Sequence, residues 1–141
     1  RTAALVAEAG PMQTTFHRAF DMACDLEEAL EATVAAGCRR ILTSGGRNTA
    51  VEGIDTLRAL VAQAAGRIEL MAGSGVNLSN VRQLAATGVD AVHFSARSVR
   101  PGGMVFRNPH VSMGGCGDVS EYDLLCADER LIRQILTLLE P

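Results

Sequence analysis

The sequence predicts an α/β fold of parallel βα repeats, half or an incomplete portion of a TIM (β/α)8 barrel, ending in a C-terminal helix. Three observations carry this. Four glycines, Gly10, Gly37, Gly66 and Gly88, recur 22 to 29 residues apart, each behind a helical tail and ahead of a short apolar run. A left-handed glycine stops a helix, and runs this short read as buried strands. The segments between them carry apolar residues at helical spacing. Strand, helix, strand with right-handed crossovers gives a parallel sheet, open or curled, and four units are half of the eight in a closed barrel.

Taken in order, Thr2 to Ala9 is the tail of a helix, so the chain opens in mid-element. Thr14 to Phe16 is the first strand. A helix follows over Leu26 to Ala36, with Asp25 as N-cap and Glu28 as its capping-box partner. The second strand leads into Thr43-Ser44-Gly45-Gly46 and a helix over Gly53 to Ala65, where Ile54, Leu57, Leu60 and Val61 share one face. The third strand ends in Ala72-Gly73-Ser74-Gly75, before a short helix near Ser79 to Ala86. The fourth is Ala91 to Ser95. Arg97 to Tyr122 then runs rich in glycine, with no sustained period, as one long loop. A last helix, Asp128 to Leu139, has Asp128 as cap and Leu131, Ile132, Ile135, Leu136 and Leu139 as its buried stripe.

The chain reads as a single partial-barrel domain over residues 1–141, and 48% hydrophobic content supplies a core. A curled four-strand sheet leaves two edges and an apolar inner face uncovered. A partner is therefore expected: a missing N-terminal half, or a second copy in a homo-oligomer. Thirteen Lys and Arg against 16 Asp and Glu give a net charge of -3, too little positive field to attract nucleic acid. No apolar run approaches the roughly 18 residues of a membrane span. Cys24, Cys38, Cys116 and Cys126 form no C-x-x-C pair, so free thiols in a reducing, cytoplasmic setting are expected.

The chemistry-bearing residues gather at strand ends. Thr-Thr-Phe-His-Arg-Ala-Phe-Asp (14–21) delivers His17, Arg18 and Asp21 to one spot: a base, a fixed cation and a carboxylate. These residues equally fit a barrel-lining histidine beside a local ion pair. In the fourth strand, alternation sends His93 and Ser95 to one face and Val92 and Phe94 to the other. His17 and His93 are thus candidates for an acid and base pair, or for hydrogen-bonded core histidines. Ser44, Gly45, Gly46, Gly73, Ser74 and Gly75 form two loops whose amides suit an anion, although strand-to-helix turns need glycine anyway. Ser95, Arg97, Arg100 and Arg107 could bind a carboxylate or phosphate, or simply be solvated. Met22 and Cys24 are soft ligands suited to Cu(I), but two are too few to define a metal site.

The motifs Thr15-Phe16-His17-Arg18-Ala19-Phe20-Asp21-Met22, Ile41-Leu42-Thr43-Ser44-Gly45, Met71-Ala72-Gly73-Ser74-Gly75-Val76, Val92-His93-Phe94-Ser95-Ala96 and Met104-Val105-Phe106-Arg107-Asn108 resemble, in order, those of the CutC family of copper homeostasis proteins. The resemblance runs from about Pro11 to Asp128. It implies a cytoplasmic TIM barrel that oligomerises and a role in copper tolerance or Cu(I) binding, with the proposed copper-binding cysteines in an N-terminal half not present here. Val105 stands where the family more often has a basic residue, and Cys116 to Val119 departs from its usual loop. Two functions are thus expected as alternatives. One is copper homeostasis. The other is an isomerase or lyase acting on a small anionic, possibly phosphorylated, metabolite, with no organic cofactor.

Overall fold

Each helix start and stop follows from a few residues. In the computed structural model, which describes residues 1–112 and 119–140, Asp25 caps α2 (Leu26–Ala35) by accepting from the amides of Glu27 and Glu28 at 2.9 and 3.0 Å. The expected return bond from the Glu28 side chain is not among the described contacts. Asp128 caps α5 (Glu129–Leu139) in the same way, through the Arg130 amide. The helices α1 (Thr2–Ala9), α3 (Ile54–Ala64) and α4 (Val81–Ala85) complete the set. Gly10, Gly37, Gly66 and Gly88 all have positive φ, which is why these positions end helices.

Four strands, β1 (Thr15–Phe16), β2 (Arg40–Thr43), β3 (Glu69–Gly73) and β4 (Ala91–His93), pair in chain order, all parallel. The register aligns Thr15 with Arg40, Arg40 with Glu69, Met71 with Ala91 and Gly73 with His93. Because side chains alternate, one face of the sheet turns to the helices and is buried. Ile41 and Leu70 pack there with Phe20, Leu30 and Leu60, while Ala72 packs with Ile54, Leu57 and Leu84. Burying each of the larger side chains contributes about 2 kcal/mol, and this face holds the fold together.

The opposite face, which would line a barrel, is less apolar than expected. Register places Thr15, Arg40, Glu69, Leu42, Met71, Gly73 and His93 on it. Arg40 Nε donates to Glu69 Oε2 at 2.8 Å, and Arg39 Nε to Oε1 at 3.0 Å. The ion cluster forms because parallel pairing sets residues 40 and 69 side by side.

Two expectations need correction. The segment Arg97 to Tyr122 is not a structureless loop throughout, since β5 (Arg97–Pro101) pairs antiparallel with β6 (Asp123–Ala127). Long-range pairing decides this, and no local period announces it. The stripe of α5 is also not buried as a whole. Ile135 is buried and Leu131 half-buried, but Leu136 is 56% exposed and Ile132 and Leu139 are also exposed. The helix packs on α4, beside the open edge of the sheet, so only one side of its stripe is covered. No described helix is long and apolar enough to cross a membrane.

Candidate functional site

Asp21 is the hub of the predicted cluster. β1 ends at Phe16, and His17 caps the 3-10 helix Arg18–Met22 with its Nδ1, which accepts from the Ala19 amide at 2.9 Å. That short helix turns Arg18 and Asp21 back over the end of β2. Arg18 Nε donates to Asp21 Oδ2 at 2.9 Å, and Arg18 Nη2 donates to Ser44 Oγ and to the Arg47 carbonyl. Thr43 Oγ1 donates to Asp21 Oδ1 at 2.5 Å and accepts from the Gly45 amide. The amides of Ser44 and Gly46 donate to the same carboxylate at 3.1 and 3.0 Å. Burial pushes the Asp21 carboxyl up, but the hydrogen bonds from Thr43, Gly46, Arg18 and Ser44 outweigh it and hold its pKa below 3.8.

Amides of the first glycine loop are thus taken up by the chain's own Asp21 carboxylate. Gly45 and Gly46 have φ of 70° and 69°, and in this turn the Ser44 and Gly46 amides reach the carboxylate while the Gly45 amide donates to Thr43 Oγ1. A Cβ on Gly45 would stand 2.6 Å from the Gly53 carbonyl oxygen, so the backbones approach too closely for a side chain. Ser44 Oγ donates to the Arg47 carbonyl at 2.5 Å, with Asp21 Oδ2 at 3.0 Å.

The second loop is similarly tied down. Ser74, in the left-handed region at φ 81°, donates through Oγ to the Asn48 carbonyl and accepts from the Ala50 amide. The Gly75 carbonyl accepts from the side-chain amides of Asn77 and Asn80. Gly73 lies between Leu42 and His93, where an added Cβ would come within 2.6 Å of Leu42 Cδ1.

His93 is exposed on the inner face while Val92 packs on the helix side, as alternation requires; Ser95 lies exposed beyond the end of β4, where the alternation no longer applies. His17 and His93 do not meet, however. β1 and β4 are the two edges of the sheet, three strand spacings or roughly 14 Å apart across it. Ser95 and Arg97 flank Ala96, whose left-handed φ of 44° turns the chain from the parallel sheet into the hairpin. Arg107 is carried elsewhere. Its guanidinium stands over the Tyr122 ring at 5.3 Å, at the far end of the hairpin, roughly 13 Å along the strands from Arg97. Arg100, in β5, is exposed.

The soft ligands do not assemble. Met22 and Cys24 are exposed, Cys38 is buried in the core ahead of β2, and Cys126 lies in β6. Cys116 lies outside the described residues. Among the described residues no group of three or more His, Cys, Asp or Glu is placed to hold a metal ion. The donor set described here thus does not fit Cu(I), which favours clustered thiolates and thioethers.

Sequence reasoning missed Thr43, the Arg47 carbonyl, Asn77 and Asn80. The Thr43-Ser44 hydroxyls beside glycines were a readable signal for Thr43. The Arg47 contact depends on a loop path that spacing does not give.

Comparison with known proteins bears on this arrangement. The model of the CutC family matches residues 1–98. The chain belongs to the CutC family. A CutC family protein of Porphyromonas gingivalis is 46% identical over 96% of this chain and 55% of its own length. One of Xylella fastidiosa is 45% identical over 96% of this chain and 49% of its own. The chain thus spans about half the length of these CutC relatives. The crystal structure of the Streptococcus agalactiae CutC, which carries the name of a copper homeostasis protein, superposes with a TM-score of 0.57 at 33% identity. It covers 64% of this chain and 48% of that one. The segment Thr14 to Asp21 and both glycine loops lie within the residues that the CutC model matches.

Proposed function

We propose that this chain serves copper homeostasis as part of a CutC protein, in the cytoplasm, with the copper ligands supplied from outside the residues described here. The observation that carries this reading is the family match along nearly the whole chain, together with the name of the Streptococcus agalactiae relative. The scattered soft donors support the second half of the proposal. The sheet supplied by this chain then needs a covering partner, either the further length its relatives carry or a second copy. Competition with a Cu(I) chelator tests the proposal. The full-length Porphyromonas gingivalis relative should hold Cu(I) against the chelator, and this chain should not. Tight binding by this chain that Cys24→Ser abolishes would overturn it.

A second reading is favoured by one observation. Among the described residues, the side chains of His93, Ser95 and Arg97 make no hydrogen bond or ion pair and are exposed, following one another along the chain from the end of β4 into β5. They suit a small anionic metabolite, as substrate of an isomerase or lyase or as a bound ligand. His17 is less suited to transfer protons with His93, being at the other edge of the sheet. Titration with inorganic phosphate and small carboxylates, followed by amide shifts at these residues, tests this reading. Shifts confined to other parts of the chain would reject it.

A further inference from the structure

The first glycine loop is filled by Asp21, so an external anion must find its counter-charge elsewhere. A cavity of about 400 Å3 opens where the β3–α4 loop, the end of β4 and α5 meet. Its walls are Leu78, Phe94, Leu131 and Ile135, and Ser95 and Arg97 stand at its polar side. The volume lies within the range of small-molecule sites, and an apolar body with a few convergent polar groups is their usual make-up.

Two features make this more than a gap between helices. Arg97 has no ion pair or side-chain hydrogen bond among the described residues, and neither has the Ser95 hydroxyl, so both groups that line the cavity are open to a ligand. Asp128, which follows β6 and is joined to Ala96 by its amide at 2.7 Å, gives its Oδ1 to the α5 cap. The walls are also held in place. Asn77 and Asn80 fix the Gly75 carbonyl on one side, and Ala96 is buried in its left-handed turn on the other.

We propose that this cavity binds an amphipathic carboxylate, its apolar body against Phe94, Leu131 and Ile135 and its carboxylate on Arg97 and Ser95. One guanidinium and one hydroxyl match a planar monoanion, which Arg can engage in bidentate fashion; a phosphate dianion would call for more donors. At roughly 30 Å3 per non-hydrogen atom, the volume admits about a dozen such atoms. The proposal rests on the anionic-ligand reading above and names its ligand class and its place.

The test is amide-shift titration of the isotope-labelled chain with 3-phenylpropionate, 3-phenylpropanol and inorganic phosphate. The expected result is saturable binding of 3-phenylpropionate, with shifts at Leu78, Phe94, Ser95, Arg97 and Leu131. The alcohol should bind at least ten-fold more weakly. Arg97→Gln, at an exposed position, should weaken the acid about ten- to a hundred-fold and leave the alcohol unchanged. Leu131→Trp should block both. Equal binding of acid and alcohol, or an Arg97→Gln variant that binds the acid as the parent does, would overturn the proposal. Phosphate binding at His93 and Ser95 without carboxylate binding would overturn it while leaving the anionic reading intact. Binding of neither anion would overturn both.

Discussion

Replacing Asp21 by Asn tests whether the carboxylate holds the β2–α3 loop in place. The Asp21 side chain is 5% exposed and accepts from Arg18, Thr43, Ser44 and Gly46. An Asn oxygen can keep the Thr43 and Gly46 bonds. Its NH2 then replaces Oδ2 and faces the donors Arg18 Nε and Ser44 N. The Arg18 contact is worth little by itself, about 0.5 kcal/mol, because the Arg18 side chain is 40% exposed and screened. The Ser44 amide keeps Oδ1 and Ser44 Oγ keeps the Arg47 carbonyl, so the further loss is the Oδ2 share of the Ser44 contacts and an NH2 left facing donors in a buried place, about 1.5 kcal/mol. The total is about 2 kcal/mol, a sizeable share of the roughly 5 to 15 kcal/mol of a typical domain. With a urea m-value of about 2 kcal/mol/M, the midpoint should fall by about 1 M at unchanged slope. Exchange at the Ser44 and Gly46 amides should accelerate more than exchange in α2. A midpoint shift under about 0.5 M at neutral pH would refute the reasoning. The pH dependence has a definite sign. Because the folded carboxyl titrates below the usual aspartate value, its contribution is present above that usual value and is lost as pH falls from there through the lower folded pKa. The gap between the parent and Asp21→Asn should therefore narrow below about pH 4.

Three further outcomes follow from the same geometry. His17→Ala removes the acceptor of the Ala19 amide and should cost about 1 kcal/mol, a fall of about 4 °C in thermal midpoint, while His17→Asn should recover most of it as a competent cap. Gly45→Ala combines a left-handed φ with a Cβ 2.6 Å from the Gly53 carbonyl oxygen, and chemical denaturation should show a loss of about 3 kcal/mol. The Glu31 carboxyl is held down to about 2 by Arg67 and Gln63, so its contribution is present above about pH 4.5 and fades toward pH 2; Glu31→Gln should flatten that part of the stability curve, and less so in high salt because the pair is exposed.

How much was legible can be judged residue by residue. The four marker glycines located the helix ends, because only a left-handed residue can close a helix into a strand so abruptly. Asp25 and Asp128 located two helix starts, because capping is a local hydrogen bond. Alternation put His93 and Val92 on opposite faces. Those are short-range matters. The β5–β6 hairpin was not legible, since its partners are separated by more than twenty residues and neither strand has a period that survives its glycine-rich surroundings. The Arg40–Glu69 pair required the register as well as the strands.

The opening cluster shows the same division. The sequence alone determined that His17, Arg18 and Asp21 would sit together at the end of a barrel-type strand, because a strand and one turn are enough to do that. Only the tertiary structure decided what they do there. It turned the Asp21 carboxylate into the neighbouring glycine loop, some twenty-five residues away in sequence, and set His17 and His93 on opposite edges of the sheet. Local chemistry says which groups are present, whereas partner choice depends on which distant backbone amides the fold brings within hydrogen-bond reach.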